Sequence, residues 1–137
     1  MSSIRVLIVD DYEPFLRLIR STLATRENTE VVGAVSDGLE AVQKAEELKP
    51  DLILLDLGLP KLNGIEAARQ IRKLVPESKI IFLSVESSPD VVKEALGLGA
   101  LGYVAKRRLG SDLLVAVETV LEGRQFVSSG LVGGGSG

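Results

Sequence analysis

Five short β-branched and aliphatic runs, each followed by a segment of helical spacing, restrict the possible folds of this chain more than any other feature. The runs are Ile4 to Val9, Glu30 to Val35, Leu52 to Leu55, Lys79 to Leu83 and Ala100 to Val104. Bounded by turn residues, they predict strands buried on both faces. Leu16, Ile19 and Leu23 share one helical face, as do Ala41, Val42, Ala45 and Leu48, and Ile65, Ala68, Ile71 and Val75. Val91, Val92, Ala95 and Leu96 mark a fourth helix, and Leu113, Leu114, Val117 and Leu121 a fifth. Asp37 with Glu40, and Asn63 with Glu66, have capping-box spacing, while Ser88 precedes Pro89 as N-cap and first helical residue. Strict alternation of this kind predicts an α/β fold, a doubly wound parallel sheet with right-handed crossovers and helices on both faces. Ligands of such sheets bind beyond the carboxyl ends of the strands, where strand order reverses.

A length of 137 residues suits one domain with a single core. The helical pattern stops after Arg124, and Ser128 to Gly137 holds five glycines and three serines. Residues 1–124 are therefore expected to form the domain, and 125–137 a flexible Gly/Ser-rich tail or the start of a linker. With no apolar run of roughly 20 residues and no basic or apolar leader at Met1 to Ile4, the chain is expected in the cytoplasm, away from membranes. The absence of cysteine fits that compartment and removes thiolate metal sites and thiol nucleophiles. Histidine is absent too, so the chain cannot be a histidine kinase or a histidine phosphocarrier. A net charge of −3 gives no pull toward a nucleic acid backbone, and no direct DNA contact is expected.

Reading the strand ends in order gives Asp10 and Asp11 after the first, Asp56 after the third, Ser84 after the fourth and Lys106 past the fifth. Singly, each has a bland reading as a cap carboxylate, turn residue, loop hydroxyl or surface charge. Together they share one edge of a sheet whose neighbouring strands lie about 4.8 Å apart, so their side chains can converge. Three clustered carboxylates repel one another unless a cation neutralises them. An all-oxygen site with room for water suits Mg²⁺, or Mn²⁺ as a substitute. Lys106 then offers a fixed positive charge, and Ser84 a hydroxyl donor, to phosphoryl oxygens near a carboxylate nucleophile.

At this point a family resemblance emerges. Val9-Asp10-Asp11, Asp56 with Pro60 and Gly64 in DLGLPKLNG, Ser84, Tyr103 and Lys106 resemble the receiver domains of two-component response regulators in order and spacing, over about residues 4 to 123. The resemblance implies a flavodoxin-like (βα)5 fold, with five parallel strands in the order 2-1-3-4-5. It implies phosphoryl transfer to Asp56 from a cognate sensor histidine kinase. Metal ligation by Asp11, Asp56 and the Gly58 backbone carbonyl is also implied, with Asp10 acting through water. Ser84 and Lys106 would grip the phosphoryl group while Tyr103 turns inward as a switch. The stretch GLEAVQKAEELKPDLILLDLGLP and the ending GRQFVSSGL are most similar to NarL-type receivers, which precede a helix-turn-helix output domain. Control of transcription through such a domain, and phosphorylation-dependent homodimerisation, are the partner expectations that come with it. Kinase specificity is expected on the first helix near Phe15, Arg17 and Leu18.

Three positions depart from the common pattern. Arg107 follows Lys106 where many receivers have proline, which puts a cis peptide bond there in doubt. Val85 is larger than the usual residue beside Ser84, and is expected to narrow access to Asp56. Gly58 is smaller than usual, and is expected to widen it. Tyr103 has a second reading, as a half-buried strand aromatic with its hydroxyl in water. Lys106, Arg107 and Arg108 form a short basic cluster, read as a solvated loop or a partner contact.

Gly97, Gly99 and Gly102 spell G-x-G-x-x-G, but they close a helix and lead into a strand, the reverse of a dinucleotide site. A flavin carrier would need a phosphate-cradling loop after the first strand, where Asp10, Asp11 and Glu13 place three negative charges. A haloacid-dehalogenase-type phosphatase would need an aspartate two residues after its nucleophile, where Tyr12 follows Asp10. The competing reading that survives is a receiver-like interaction module that is never phosphorylated.

Overall fold

The computed structural model describes residues 3–85 and 88–128. In chain order the elements are β1 (Ile4–Val9), α1 (Glu13–Leu23), β2 (Thr29–Val35), α2 (Gly38–Leu48), β3 (Leu52–Asp56), α3 (Gly64–Leu74), β4 (Lys79–Ser84), α4 (Pro89–Gly97), β5 (Gly102–Ala105), a 3₁₀ turn (Lys106–Arg108), α5 (Leu109–Leu121) and β6 (Phe126–Val127). The sheet is parallel throughout, in the order β2-β1-β3-β4-β5-β6. The order of the first five strands is the expected one, so the switch point lies between β1 and β3, above Val9 and Leu55.

Consecutive strand residues point to opposite faces, which explains why these strands are apolar without alternation. Leu7, Val9, Ile53, Leu55 and Phe82 pack with Ala41, Ala45, Ala68, Ile71 and Ala95 of α2, α3 and α4. Val6, Ile8, Leu52, Leu54, Ile81 and Leu83 pack on the other side with Ile19, Leu23, Leu113, Val117 and Val120 of α1 and α5. Sheltered on both sides, the sheet is a fixed platform for the residues at its edge.

The helix starts follow the capping chemistry. Asp37 accepts the Glu40 N–H at 2.9 Å, and Asn63 accepts the Glu66 N–H at 2.9 Å. Ser88 is the N-cap of α4 with Pro89 at its start. The three glycines run from the last residue of α4, Gly97, to the first of β5, Gly102, and serve helix termination and close packing. Gly99 has φ +99°, and a Cβ on Gly102 would lie 2.7 Å from Ile81 Cγ1.

The sheet corrects two expectations. β5 begins two residues later than the apolar run beginning at Ala100, because Gly102 is the residue that pairs with Ile81. A sixth strand is also present: Phe126 and Val127 pair with Gly102 and Tyr103, so the boundary drawn after Arg124 moves outward and residues 126–128 belong to the sheet edge. The remainder of the expected tail, 129–137, lies outside the described residues. No helix among the described residues is long and apolar enough to cross a membrane.

Candidate functional site

The acidic cluster forms where β1 and β3 end side by side. Asp10 continues β1, its N–H bonded to Val35 O at 3.1 Å, and its Oδ1 accepts the Tyr12 N–H at 2.9 Å. Asp56 is the last residue of β3, and its Oδ1 accepts the Gly58 N–H at 3.2 Å. With the exposed Asp11, these residues offer carboxylate oxygens that all lie within 4.8 Å of one another. The loop from β3 to α3 is held tight by Gly64, where a Cβ would come 2.3 Å from Asp56 O.

Lys106 enters the cluster from the 3₁₀ turn after β5. Its Nζ lies 2.7 Å from Asp10 Oδ2 and 3.3 Å from Asp56 Oδ1, with all three residues buried. Lys106 is thus withdrawn from the basic cluster the sequence suggested. Arg107 is exposed, and Arg108 pairs with Asp112 at 3.0 Å. No peptide bond is cis among the described residues, that between Lys106 and Arg107 included.

Burial pushes the Asp56 carboxyl above its ordinary range, and the Asp10 charge pushes it further. The Lys106 ammonium and the Gly58 N–H oppose that rise without cancelling it. Three carboxylates against one ammonium leave two negative charges in a space only 4.8 Å across. A unit pair about 4 Å apart near a protein surface interacts by about 4 kcal/mol, so a further cation has a strong electrostatic reason to bind. Asp10 Oδ2, fully buried, accepts no hydrogen bond among the described residues beyond its ion pair with Lys106. All-oxygen donors, excess negative charge and an under-satisfied buried oxygen fit a hard divalent ion.

On its other side Asp56 opens into a cleft of about 650 Å³ between the ends of β3 and β4 and helices α3 and α4. Ser84 lines this cleft with Asp56, as do Val85, Ile65 and Arg69. Val85 is 80% exposed and stands at the wall, while a Cβ on Gly58 would meet nothing within 4 Å. The space beside Gly58 is open.

Asp10, Asp11, Asp56 and Lys106 are joined in one cluster, and Ser84 faces the same opening. Tyr103 is placed elsewhere. It is fully buried on the α2–α4 side of the sheet, with its ring 6.4 Å from that of Phe82. The reading of a half-buried aromatic with its hydroxyl in water is therefore corrected, since the side chain points inward. Phe15 has a contact the sequence did not predict: its ring lies 4.5 Å from Lys106 Nζ and braces the lysine, while Arg17 and Leu18 are on the open face of α1. The sequence carried no local sign of that contact.

Comparison with known proteins places the chain in a family. The response regulator receiver domain family matches residues 6–118. The chain is 41% identical over 121 residues to the response regulator protein VraR of Staphylococcus epidermidis, covering 88% of this chain and 58% of that one. It is 39% identical over 116 residues to the chemotaxis protein CheY of Thermotoga maritima, covering 85% and 96%. The crystal structure of a LuxR-family two-component response regulator from Aurantimonas sp. SI85-9A1 superposes with a TM-score of 0.90 at 32% identity, covering 95% and 93%. The chain thus spans a little over half the length of VraR and nearly all of CheY. In sequence and in fold, the chain belongs to the response regulator receiver domain family of two-component signalling.

Proposed function

We propose that this receiver accepts a phosphoryl group on Asp56 from the phosphohistidine of a sensor kinase, in a Mg²⁺-dependent reaction, and passes the change to an output. The observation that carries this reading is the setting of Asp56, with Lys106 Nζ 3.3 Å away on one side and an open cleft on the other.

Asp56 Oδ1 is committed to Lys106 and to the Gly58 N–H, which leaves Oδ2 to attack phosphorus. The new O–P bond forms as the donor's N–P bond breaks, and the proton needed by the leaving imidazole comes from the donor side or from water. Lys106 and the Ser84 hydroxyl would then hold phosphoryl oxygens, and Phe15 keeps the ammonium aimed inward. Asp11, Asp56 and the Gly58 carbonyl would hold Mg²⁺ directly, and Asp10 through water. When bound, the ion supplies the positive charge that lets a phosphoryl group approach three carboxylates. The same arrangement supports phosphorylation from small phosphodonors and hydrolysis of the aspartyl phosphate, so the domain acts on itself as a phosphoacceptor and not as an enzyme with external turnover.

Relatives suggest the output. DegU of Brevibacillus brevis is a transcriptional regulatory protein, and RcsB has been seen as dimers bound to DNA. By analogy the receiver works in the cytoplasm and controls transcription through a helix-turn-helix domain, with homodimerisation as the step that phosphorylation favours. Incubation with acetyl phosphate and Mg²⁺, followed by intact mass, tests the acceptor. The parent gains one phosphoryl group and Asp56→Asn gains none. A gain that survives in Asp56→Asn would place the acceptor elsewhere, and no gain in the parent would leave an unphosphorylated interaction module.

A further inference from the structure

Ser128 is fully buried although it follows a two-residue strand at the edge of the sheet. Its N–H donates to Tyr103 O at 2.9 Å. Its Oγ accepts the Ala105 N–H at 3.1 Å and donates to Asp112 Oδ2 at 2.7 Å. Asp112, in the first turn of α5, also takes Arg108 Nε at 3.0 Å and Ser111 Oγ at 3.1 Å. One hydroxyl therefore joins β5, α5 and the C-terminal exit of the domain.

Of the three residues it bonds, Tyr103 and Ala105 lie on β5 just before Lys106, and Asp112 holds Arg108, two residues beyond that lysine. Phe126 and Val127 alone provide too short a ladder to dock firmly, as both are only half-buried. Burial pushes the Asp112 carboxyl up, and its bonds from Ser128, Arg108 and Ser111 outweigh that and hold it below the usual carboxylate range. The acceptor is therefore charged, and its bond from Ser128 is charge-assisted.

We infer that Ser128 is a coupling residue, which locks the exit segment 126–128 onto β5 and ties its docking to the position of Lys106 and the inward state of Tyr103. This rests on the acceptor reading of Asp56. A phosphoryl group that draws Lys106 and Tyr103 into one state tightens the docking of residues 126–128 on β5. Linkage makes the effect reciprocal, so loosening Ser128 weakens binding of a phosphoryl mimic at Asp56.

Beryllofluoride with Mg²⁺, titrated into the full chain and followed by amide NMR, with hydrogen exchange at Ala105 and Ser128, provides the test. In the parent the mimic binds and slows exchange of both amides. Ser128→Ala, checked for folding by circular dichroism, binds it about fivefold or more weakly, the lower end of typical coupling between sites. Ser128→Thr, which keeps the hydroxyl, restores affinity toward the parent. Should Ser128→Ala fail to fold, Asp112→Asn takes its place, because it keeps the shape of the acceptor and removes its charge. A parent that binds the mimic with unchanged exchange at both amides, or a folded variant that binds as well as the parent, overturns the coupling and leaves the acceptor reading intact. A parent that does not bind the mimic overturns both.

Discussion

Asp56 sits where its own ionised form is disfavoured, since burial and the Asp10 charge both raise its carboxyl above the ordinary value. A raised acid favours the folded state while protonated, and that advantage is lost as pH rises through the folded value. At neutral pH the ionised carboxylate therefore works against folding. Asp56→Asn, with the same shape and no charge, is expected to raise the thermal midpoint at pH 7 in metal-free buffer. The gain should shrink below about pH 4, where the ordinary carboxylate also protonates. An unchanged midpoint at pH 7 would mean that Lys106 fully compensates the charge. Gly64 shows the opposite sign. Its missing Cβ lets the α3 start approach the backbone of Asp56, and a methyl there would meet Asp56 O at 2.3 Å. Gly64→Ala should cost about 1–3 kcal/mol, the usual penalty for overpacking, read from urea unfolding at constant m. A cost within error of zero would show that the loop yields freely.

At the scale of elements, the cap of α3 separates stability from chemistry, because Asn63 is exposed and accepts the Glu66 N–H, and although it lines the cleft beside Asp56 it stays outside the acidic cluster. Asn63→Ala is expected to lose about 1 kcal/mol in denaturant unfolding while its phosphoryl uptake stays within twofold of the parent. A large loss of uptake would instead assign the β3–α3 loop a direct part in the chemistry. Much of this level was legible in the sequence. β1, β3 and β4 start where their apolar runs start, and the Asp37 and Asn63 caps fall at the helix starts their spacing predicted. The acidic pair, Asp56, Ser84 and Lys106 were legible for the same reason, as strand ends in a parallel sheet share one edge. What was missed depends on contacts with no local pattern. Ala100 and Leu101 are as apolar as a strand start, yet only pairing with Ile81 places that start at Gly102. β6 is too short to show any period. Ser128 reaches Ala105 across 23 positions and Asp112 across 16, and Phe15 meets Lys106 only because α1 and the turn after β5 are brought together in space.

For the whole molecule, the two apolar layers and the acidic edge oppose one another. The sheet is covered on both faces and fixes the ends of β1 and β3 side by side, so the carboxylates cannot separate without disturbing the core. Lys106 cancels one of three negative charges, and folding therefore concentrates charge that the unfolded chain disperses. A ligand that binds only the folded state adds stability by mass action, about 2.7 kcal/mol at a hundred times its Kd. Magnesium should consequently raise the thermal midpoint of the parent in steps that follow its concentration, and a chelator should reverse the rise. Asp11→Ala tests the assignment without touching the buried contacts, because Asp11 is exposed and its loss leaves Asp10, Asp56 and Lys106 in place. With one repelling charge gone, that variant is expected to rise in midpoint by about a degree or two in metal-free buffer, a small effect because Asp11 is exposed, and to lose most of the magnesium response. An equal magnesium response in parent and variant would take Asp11 out of the coordination sphere. A parent whose midpoint ignores the ion, even at millimolar concentration, would show that the Lys106 ammonium is counter-charge enough and that the excess acidity of the edge serves another end.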